Sequence, residues 1–145
     1  MQWSDGANAG FSTAKPEDLY LPVNPAADRP NVAAQEADPD SLLNRVRSLI
    51  KTRYTLKTLD ADAHFEVVYA ESGKLPFVYR RAKGGQKLLV ALNPSNRTVS
   101  VNLPEESLQG ISEGVEVPKG ASIEQTKNGW QLTLGPVSGA LYKVD

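Results

Sequence analysis

Between residues 64 and 93 the chain reads HFEVVYAESGKLPFVYRRAKGGQKLLVALN, and its first two segments place apolar residues at every second position. A period of two is typical of a half-buried strand, whereas a run that is apolar nearly throughout, as in Lys87–Asn93, indicates a central strand covered on both faces. Turn residues at 72–74 and 83–85 separate the three segments. The stretch therefore predicts antiparallel strands joined by two successive hairpins.

The strand pattern continues towards the C-terminus. Further strands are predicted over Thr98–Leu103, near Val115–Val117, and over Ser122–Lys127, Gly129–Leu134 and Gly139–Val144. The pair Asn128-Gly129 predicts a type I′ hairpin, because that turn needs positive φ at both central residues. Short antiparallel strands at this spacing predict a mainly β fold, a sandwich or Greek-key barrel, over residues 60–145.

One α-helix is predicted before the strands, at about residues 39–55 within a segment spanning 38–56. Asp38 is a candidate N-cap and Pro39 suits the first helical position. Apolar residues follow at helical spacing: Leu42, Leu43, Val46, Leu49 and Ile50. Residues 1–37 are rich in proline and lack a core pattern, so they are predicted to form a long N-terminal loop that is disordered in isolation.

Composition excludes several classes of function. A net charge of −1 provides no basic field for nucleic acid. No apolar run approaches the roughly 18 residues of a membrane span, and the chain does not begin as a signal peptide does, so we predict no membrane partner and a cytoplasmic location. With no cysteine and a single histidine, His64, we predict neither a metal site nor a cofactor.

Charged residues do not form a recognisable catalytic pattern. Asp60 and Asp62 are adjacent to turns, where acidic residues commonly serve as caps, so we assign them no acid–base role. Arg80, Arg81 and Lys83 lie near a hairpin end and are predicted to form a solvated tip. The residues therefore supply no catalytic candidate.

Three aromatic residues are candidates for sugar binding. Trp130 alternates with two leucines and is predicted to be a core residue, whereas Trp3 and Tyr20 have no core pattern around them. Exposed rings on a β-sandwich would indicate a carbohydrate-binding module.

Ordered sequence blocks resemble one known family. The blocks are Met1-Gln2-Trp3-Ser4-Asp5, Asn8-Ala9-Gly10-Phe11-Ser12, Leu21-Pro22-Val23-Asn24-Pro25, Asn31-Val32, Gln35, Asp38-Pro39-Asp40-Ser41-Leu42-Leu43-Asn44, Leu49-Ile50-Lys51-Thr52-Arg53 and Leu132–Tyr142. They are similar to the C-terminal third of the oligo-1,6-glucosidase subfamily of glycoside hydrolase family 13, the α-amylase superfamily. Alpha-glucosidases, trehalose synthases and sucrose isomerases share this pattern.

The resemblance implies how the chain is divided. Residues 1–37 correspond to a loop at the mouth of the catalytic (β/α)8 barrel, 38–56 to the last barrel helix, and 60–145 to the antiparallel Greek-key β-sandwich of the α-amylase C-terminal domain. Gln2 and Trp3 match a motif near the active-site entrance. The catalytic carboxylates of the family lie upstream of the matched blocks, so the resemblance implies that this chain alone holds no catalytic residue.

Two functions are therefore considered. In the first, the chain is an excised, non-catalytic accessory part that stabilises the catalytic barrel of a parent enzyme, which would hydrolyse or transfer α-glucosidic bonds. The alternative is a carbohydrate-binding module that holds α-glucan on Trp130 and Tyr20. A self-sufficient glycosidase would need two carboxylates about 5 to 10 Å apart, and the sequence places no such pair.

Overall fold

Alternating apolar residues fold most of the chain into strands. A computed structural model describes residues 1–108, 110–116 and 120–144. The strands are β1 (His64–Tyr69), β2 (Phe77–Lys83), β3 (Gln86–Asn93), β4 (Val99–Leu103), β5 (Ile111–Glu116), β6 (Ser122–Thr126), β7 (Gly129–Leu134) and β8 (Ser138–Val144). Val117 and Asp145, which the predicted ranges include, lie outside the described residues.

Two antiparallel sheets form from the described strands, one ordered β1-β2-β3-β8-β5 and the other β4-β7-β6. The chain passes between the sheets after β3, β4, β5 and β7, so that strands adjacent in sequence are often in different layers. The prediction of a mainly β, antiparallel sandwich is confirmed.

The hydrophobic core draws on both sheets. Its fully buried members from the larger sheet include Val78, Leu89 and Ala140, and the smaller sheet contributes Leu132 and Leu134. On β3 the next residues in the alternation, Leu88 and Val90, are also buried although they point to the opposite face. The central strand is therefore covered on both faces, as its apolar run predicted.

A buried asparagine fixes the ends of two strands. Asn93, only 1% exposed, donates from Nδ2 to the carbonyl oxygens of Arg97 and Gly135, at 2.8 and 2.7 Å. Its Oδ1 accepts from both the amide and the hydroxyl of Ser95. Each polar atom of the buried side chain is thus satisfied, which offsets the cost of its burial.

The β6–β7 hairpin differs from its prediction. Thr126 pairs with Gly129, so Lys127 and Asn128 form the turn. Positive φ occurs at Gly129, at 128°, and not at either turn residue, so the type I′ prediction was wrong. A Cβ on Gly129 would overlap the carbonyl oxygen of Leu103, and the glycine is therefore required by the close approach of β7 to the end of β4.

Residues 1–53 form a separate unit from residues 54–145. The structure places a short helix, α1 (Val32–Ala37), in the segment predicted to be loop, as well as 3₁₀ turns at Ala7–Gly10 and Pro16–Asp18. The main helix, α2 (Leu42–Thr55), begins three residues later than the predicted start at 39. No helix in the described ranges is long and apolar enough to cross a membrane.

The late start of α2 has a local cause. Asp38, predicted to be its N-cap, instead ends α1, and its Oδ1 accepts a hydrogen bond from the amide of Asp40. That turn delays the helix until Ser41, whose Oγ accepts from the Asn44 amide at 3.3 Å. Ser41 therefore makes the capping bond that the sequence analysis assigned to Asp38.

Candidate functional site

The first residues of the chain are fixed through their backbone. The amide of Trp3 donates to the carbonyl of Ala9 at 2.8 Å. In turn, the carbonyls of Gln2 and Trp3 accept from the amides of Val32 and Ala33, both at 3.0 Å. These amides belong to the first turn of α1 and would otherwise lack partners. Gln2 and Trp3 are thus held between a tight loop and a helix N-terminus.

The tight loop adopts a conformation that few residues tolerate. Asn8 and Ala9 have φ near 50°, and Gly10 has φ of 73°. Asn8 stabilises the loop by donating from Nδ2 to the carbonyls of Ser12 and Ala14, the latter at 2.7 Å. The φ of Gly10 favours glycine, and a Cβ there would also lie 2.6 Å from the Ser4 hydroxyl oxygen, which would have to rotate away. The loop thereby sets the position of the segment that carries Trp3.

A polar cluster joins the start of the chain to the start of α1. Asn31 accepts from the Ala34 amide as N-cap, and its Nδ2 donates to Asp5 Oδ1 at 2.7 Å. The guanidinium of Arg29 donates to the carbonyls of Asp5 and Asn24. The sequence analysis missed this cluster, because its members are far apart in the chain and follow no periodic pattern.

A groove of about 440 Å³ opens beside this cluster. It is lined by Asp5, Gly6, Ala7, Asn8, Ala9, Pro16, Leu19, Pro22, Val23, Asn24, Pro25 and Arg29. Among the described lining residues, Asp5 is the only carboxylate, so the groove offers hydrogen-bonding groups but not the acid–base pair of a glycosidase. Within the described residues, Gln2 Oε1 and Arg29 Nε are buried without a hydrogen-bond partner.

The aromatic candidates occupy three different environments. Trp3 is 50% exposed and Tyr20 is 97% exposed, both within residues 1–53. Trp130 belongs to the other unit, where it is partly buried and packs against the sandwich core. The two rings proposed to bind α-glucan, those of Tyr20 and Trp130, therefore belong to different units.

The basic cluster on β2 is paired, contrary to the predicted solvated tip. Arg80 binds Glu66 on the neighbouring strand at 2.6 Å. Lys83 Nζ lies 2.7 Å from an oxygen of Asp60 and 2.6 Å from one of Asp62. The hydrogen bond from Lys83 lowers the pKa of the Asp62 carboxyl, and the bonds to Asp60 and Asp62 raise the pKa of Lys83. These contacts fix the segment before β1 to the sheet.

No group of three or more potential metal ligands occurs among the residues that the structure describes.

Comparisons with known proteins match two successive parts of the chain to protein families. Residues 1–62 match the α-amylase catalytic domain family, and residues 65–140 match the family described as maltogenic amylase, C-terminal domain. The fold and these matches define a segment of the α-amylase catalytic-domain family followed by an all-β C-terminal domain. The chain belongs to the α-amylase superfamily, glycoside hydrolase family 13, as its sequence blocks indicated.

Individual relatives agree with this assignment. The oligo-1,6-glucosidase of Heyndrickxia coagulans is 37% identical over 107 residues, which cover 74% of this chain and 18% of the relative. The trehalose synthase of Thermus thermophilus is 30% identical, covering 98% of this chain and 15% of the relative. Among solved structures, a trehalulose synthase from Pseudomonas mesoacidophila matches 99% of this chain and 24% of its own, with 30% identity and a TM-score of 0.79. The chain thus spans less than a quarter of the length of these relatives.

Proposed function

We propose that the chain is a non-catalytic accessory part of an α-glucosidase-like enzyme and that it stabilises the catalytic (β/α)8 barrel of that enzyme. The observation that carries the proposal is the exposure of the apolar stripe of α2. Leu42 is 73% exposed, and Val46, Leu49 and Ile50 are each between 43% and 50% exposed.

The stripe is positioned as a contact surface. Its residues recur at intervals of three and four, so they share one side of the helix. A stripe of this width normally faces a core, and a contiguous exposed apolar patch marks an interaction site. Because α2 lies within residues 1–62, which match the α-amylase catalytic domain, the remainder of such a domain is the partner that we propose for it.

The proposed activity belongs to the enzyme as a whole. Relatives of this chain are named oligo-1,6-glucosidase and trehalose synthase, which supports hydrolysis or transfer of α-glucosidic bonds. We propose that this chain alone catalyses neither reaction. The backbone support and half-exposed ring of Trp3 are compatible with a role for Gln2 and Trp3 beside the acceptor sugar. The cytoplasmic location stays a prediction from the sequence.

A carbohydrate-binding module remains the second candidate because of one side chain. The ring of Tyr20, 97% exposed, is available to stack on a sugar face. Trp130 weakens this alternative, since its ring packs on the core and presents only part of its surface.

A domain exchange tests the accessory role. The C-terminal part of the H. coagulans oligo-1,6-glucosidase, from the position equivalent to Met1, is replaced by the chain. Isomaltose hydrolysis and the half-life of this activity on heating are then measured. We expect an active chimera whose half-life falls at least tenfold on Leu49→Glu, because the charge would be buried against the barrel. Lys51→Glu, on the opposite side of α2, is the matched control and should have little effect.

Three results would contradict the proposal. An inactive chimera, or equal half-lives for the Leu49 and Lys51 variants, would remove its support. Hydrolysis of isomaltose by the chain alone would show that it is catalytic after all.

A further inference from the structure

We infer that the outer face of the larger sheet, defined by Phe65, Val67, Phe77, Tyr79 and Leu92, is the surface by which the β-sandwich docks on the catalytic barrel. The inference rests on the proposed accessory function and specifies which part of the sandwich performs it.

Strand register places these side chains on one face. Val67 pairs with Tyr79, and Phe77 pairs with Leu92. Directly opposed residues in an antiparallel pair point to the same side of the sheet. The intervening residues Val78 and Ala91, which also pair, are fully buried in the core. The outer set therefore points away from the smaller sheet.

This face is apolar and accessible. Phe65 is 48% exposed, Val67 49% and Leu92 39%. The ring of Tyr79 lies between those of Phe65 and Phe77, with centroid distances of 5.1 and 5.3 Å. A solvated outer face of an antiparallel sheet normally carries polar residues, so this surface has the composition of an interface.

The occupant is indicated by the segment that already covers the other end of the same face. Arg81 and Lys83, which follow Tyr79 in the outward alternation, hold Asp60, and Lys83 also holds Asp62. The 3₁₀ turn Lys57–Leu59 packs against β2 and β3. This covering segment, residues 57–62, belongs to the same unit as the sandwich.

Family boundaries connect this covering segment to the barrel. Residues up to 62 match the catalytic domain, and the match to the C-terminal domain begins at residue 65. The last residues of the catalytic-domain match are therefore the ones seated on the outer face. A barrel joined through them would be brought onto the adjoining apolar surface, which the covering segment leaves open.

An α-glucan fits this face less well than a protein does. Stacked sugars need hydrogen-bonding groups beside the rings, as in other pockets that orient small ligands. Here the rings adjoin Val67 and Leu92, and the charged groups farther along the face are already bonded to Asp60 and Asp62. The composition favours a protein surface.

Cysteine labelling tests the inference directly, because the chain has no cysteine of its own. Val67→Cys and Leu92→Cys are introduced into the chain alone and into the chimera described above. Modification of each site by a thiol reagent is followed by mass spectrometry of the peptide that contains it. Asn102→Cys, at an exposed position on β4 of the smaller sheet, is the control.

We expect modification of Val67→Cys and Leu92→Cys to be at least tenfold slower in the chimera than in the chain alone, and that of Asn102→Cys to be equal in both. Equal rates at Val67→Cys in an active chimera would overturn the inference and leave the accessory function standing. An inactive chimera carrying the unmodified chain would overturn both. Protection of Val67→Cys in the chain alone by maltose or isomaltose would identify the face as a sugar site and also overturn the inference.

Discussion

Replacement of Gly129 by alanine is expected to be among the most destabilising single-methyl changes in the β-sandwich. Gly129 begins β7 with φ of 128°, and an added Cβ would overlap the carbonyl oxygen of Leu103. The same Cβ would lie 3.0 Å from the amide nitrogen of Glu105 and 3.1 Å from the carbonyl carbon of Pro104. All three obstacles are backbone atoms, so no side-chain rotation can relieve the overlap.

The expected loss of stability on Gly129→Ala has two parts. A non-glycine residue in a sparsely populated backbone region costs about 1 to 3 kcal/mol. Overpacking adds about 1 to 3 kcal/mol. Gly85→Ala measures a positive-φ cost without overlap, because Gly85 has φ of 80° and an added Cβ there would meet nothing within 4 Å. The backbone cost at Gly129 is at least as large, because φ of 128° lies farther from the left-handed region that other residues can adopt. We therefore expect Gly129→Ala to lower the free energy of unfolding by about 1 to 3 kcal/mol more than Gly85→Ala.

Urea unfolding followed by far-ultraviolet circular dichroism measures the difference. Both variants are compared with the parent chain at the same temperature, and the slopes are checked so that only midpoints change. If Gly129→Ala proves no more destabilising than Gly85→Ala, β7 can move away from the end of β4 at little cost, and the argument from close backbone approach is refuted.

Three further outcomes are expected. Asn31→Ala should destabilise α1 by about 1 kcal/mol and speed amide exchange at Ala34. Asn31→Ser loses the same bond to Asp5 but keeps a capping oxygen and adds no charge beside Asp5, so it should be less destabilising. Lys83 holds the pKa of Asp62 below its ordinary value of 3.8. The stability that this pair contributes is therefore present above pH 3.8 and is lost as the pH falls through the lowered pKa. Lys83→Met should raise the pKa of Asp62 measured by NMR titration. Asn93→Ala removes the donor to the carbonyls of Arg97 and Gly135 and should lower the free energy of unfolding in urea by about 2 to 4 kcal/mol. An unchanged unfolding midpoint would show that Asn93 does not stabilise the ends of these strands.

Strands were predictable where burial follows the local apolar pattern of the sequence. The apolar run of β3 indicated a strand covered on both faces, and its residues Leu88–Ala91 are all buried. Burial of alternate residues depends on local periodicity, which a sequence displays directly. The number and spacing of such segments predicted a sandwich or a Greek-key barrel, and the family resemblance implied the sandwich.

Features that depend on distant partners were not predictable. The six residues of α1 carry no apolar stripe, and so short a helix is marginal by itself; it is stabilised by Asn31 and by the carbonyls of Gln2 and Trp3. The ion pair of Lys83 likewise depends on Asp60, which lies 23 residues away in the chain. Periodicity indicates which face a side chain occupies but not which distant group it meets.

The position of β8 has a consequence for biosynthesis. This strand lies between β3 and β5 in the larger sheet, yet it follows both in sequence. During translation, β3 would therefore emerge with one edge unpaired and remain so until the last of the described strands leaves the ribosome. An unpaired apolar edge is a template for association with other chains. Nascent copies should therefore depend on chaperones until β8 inserts, and stalling of synthesis just before Ser138 should yield aggregates.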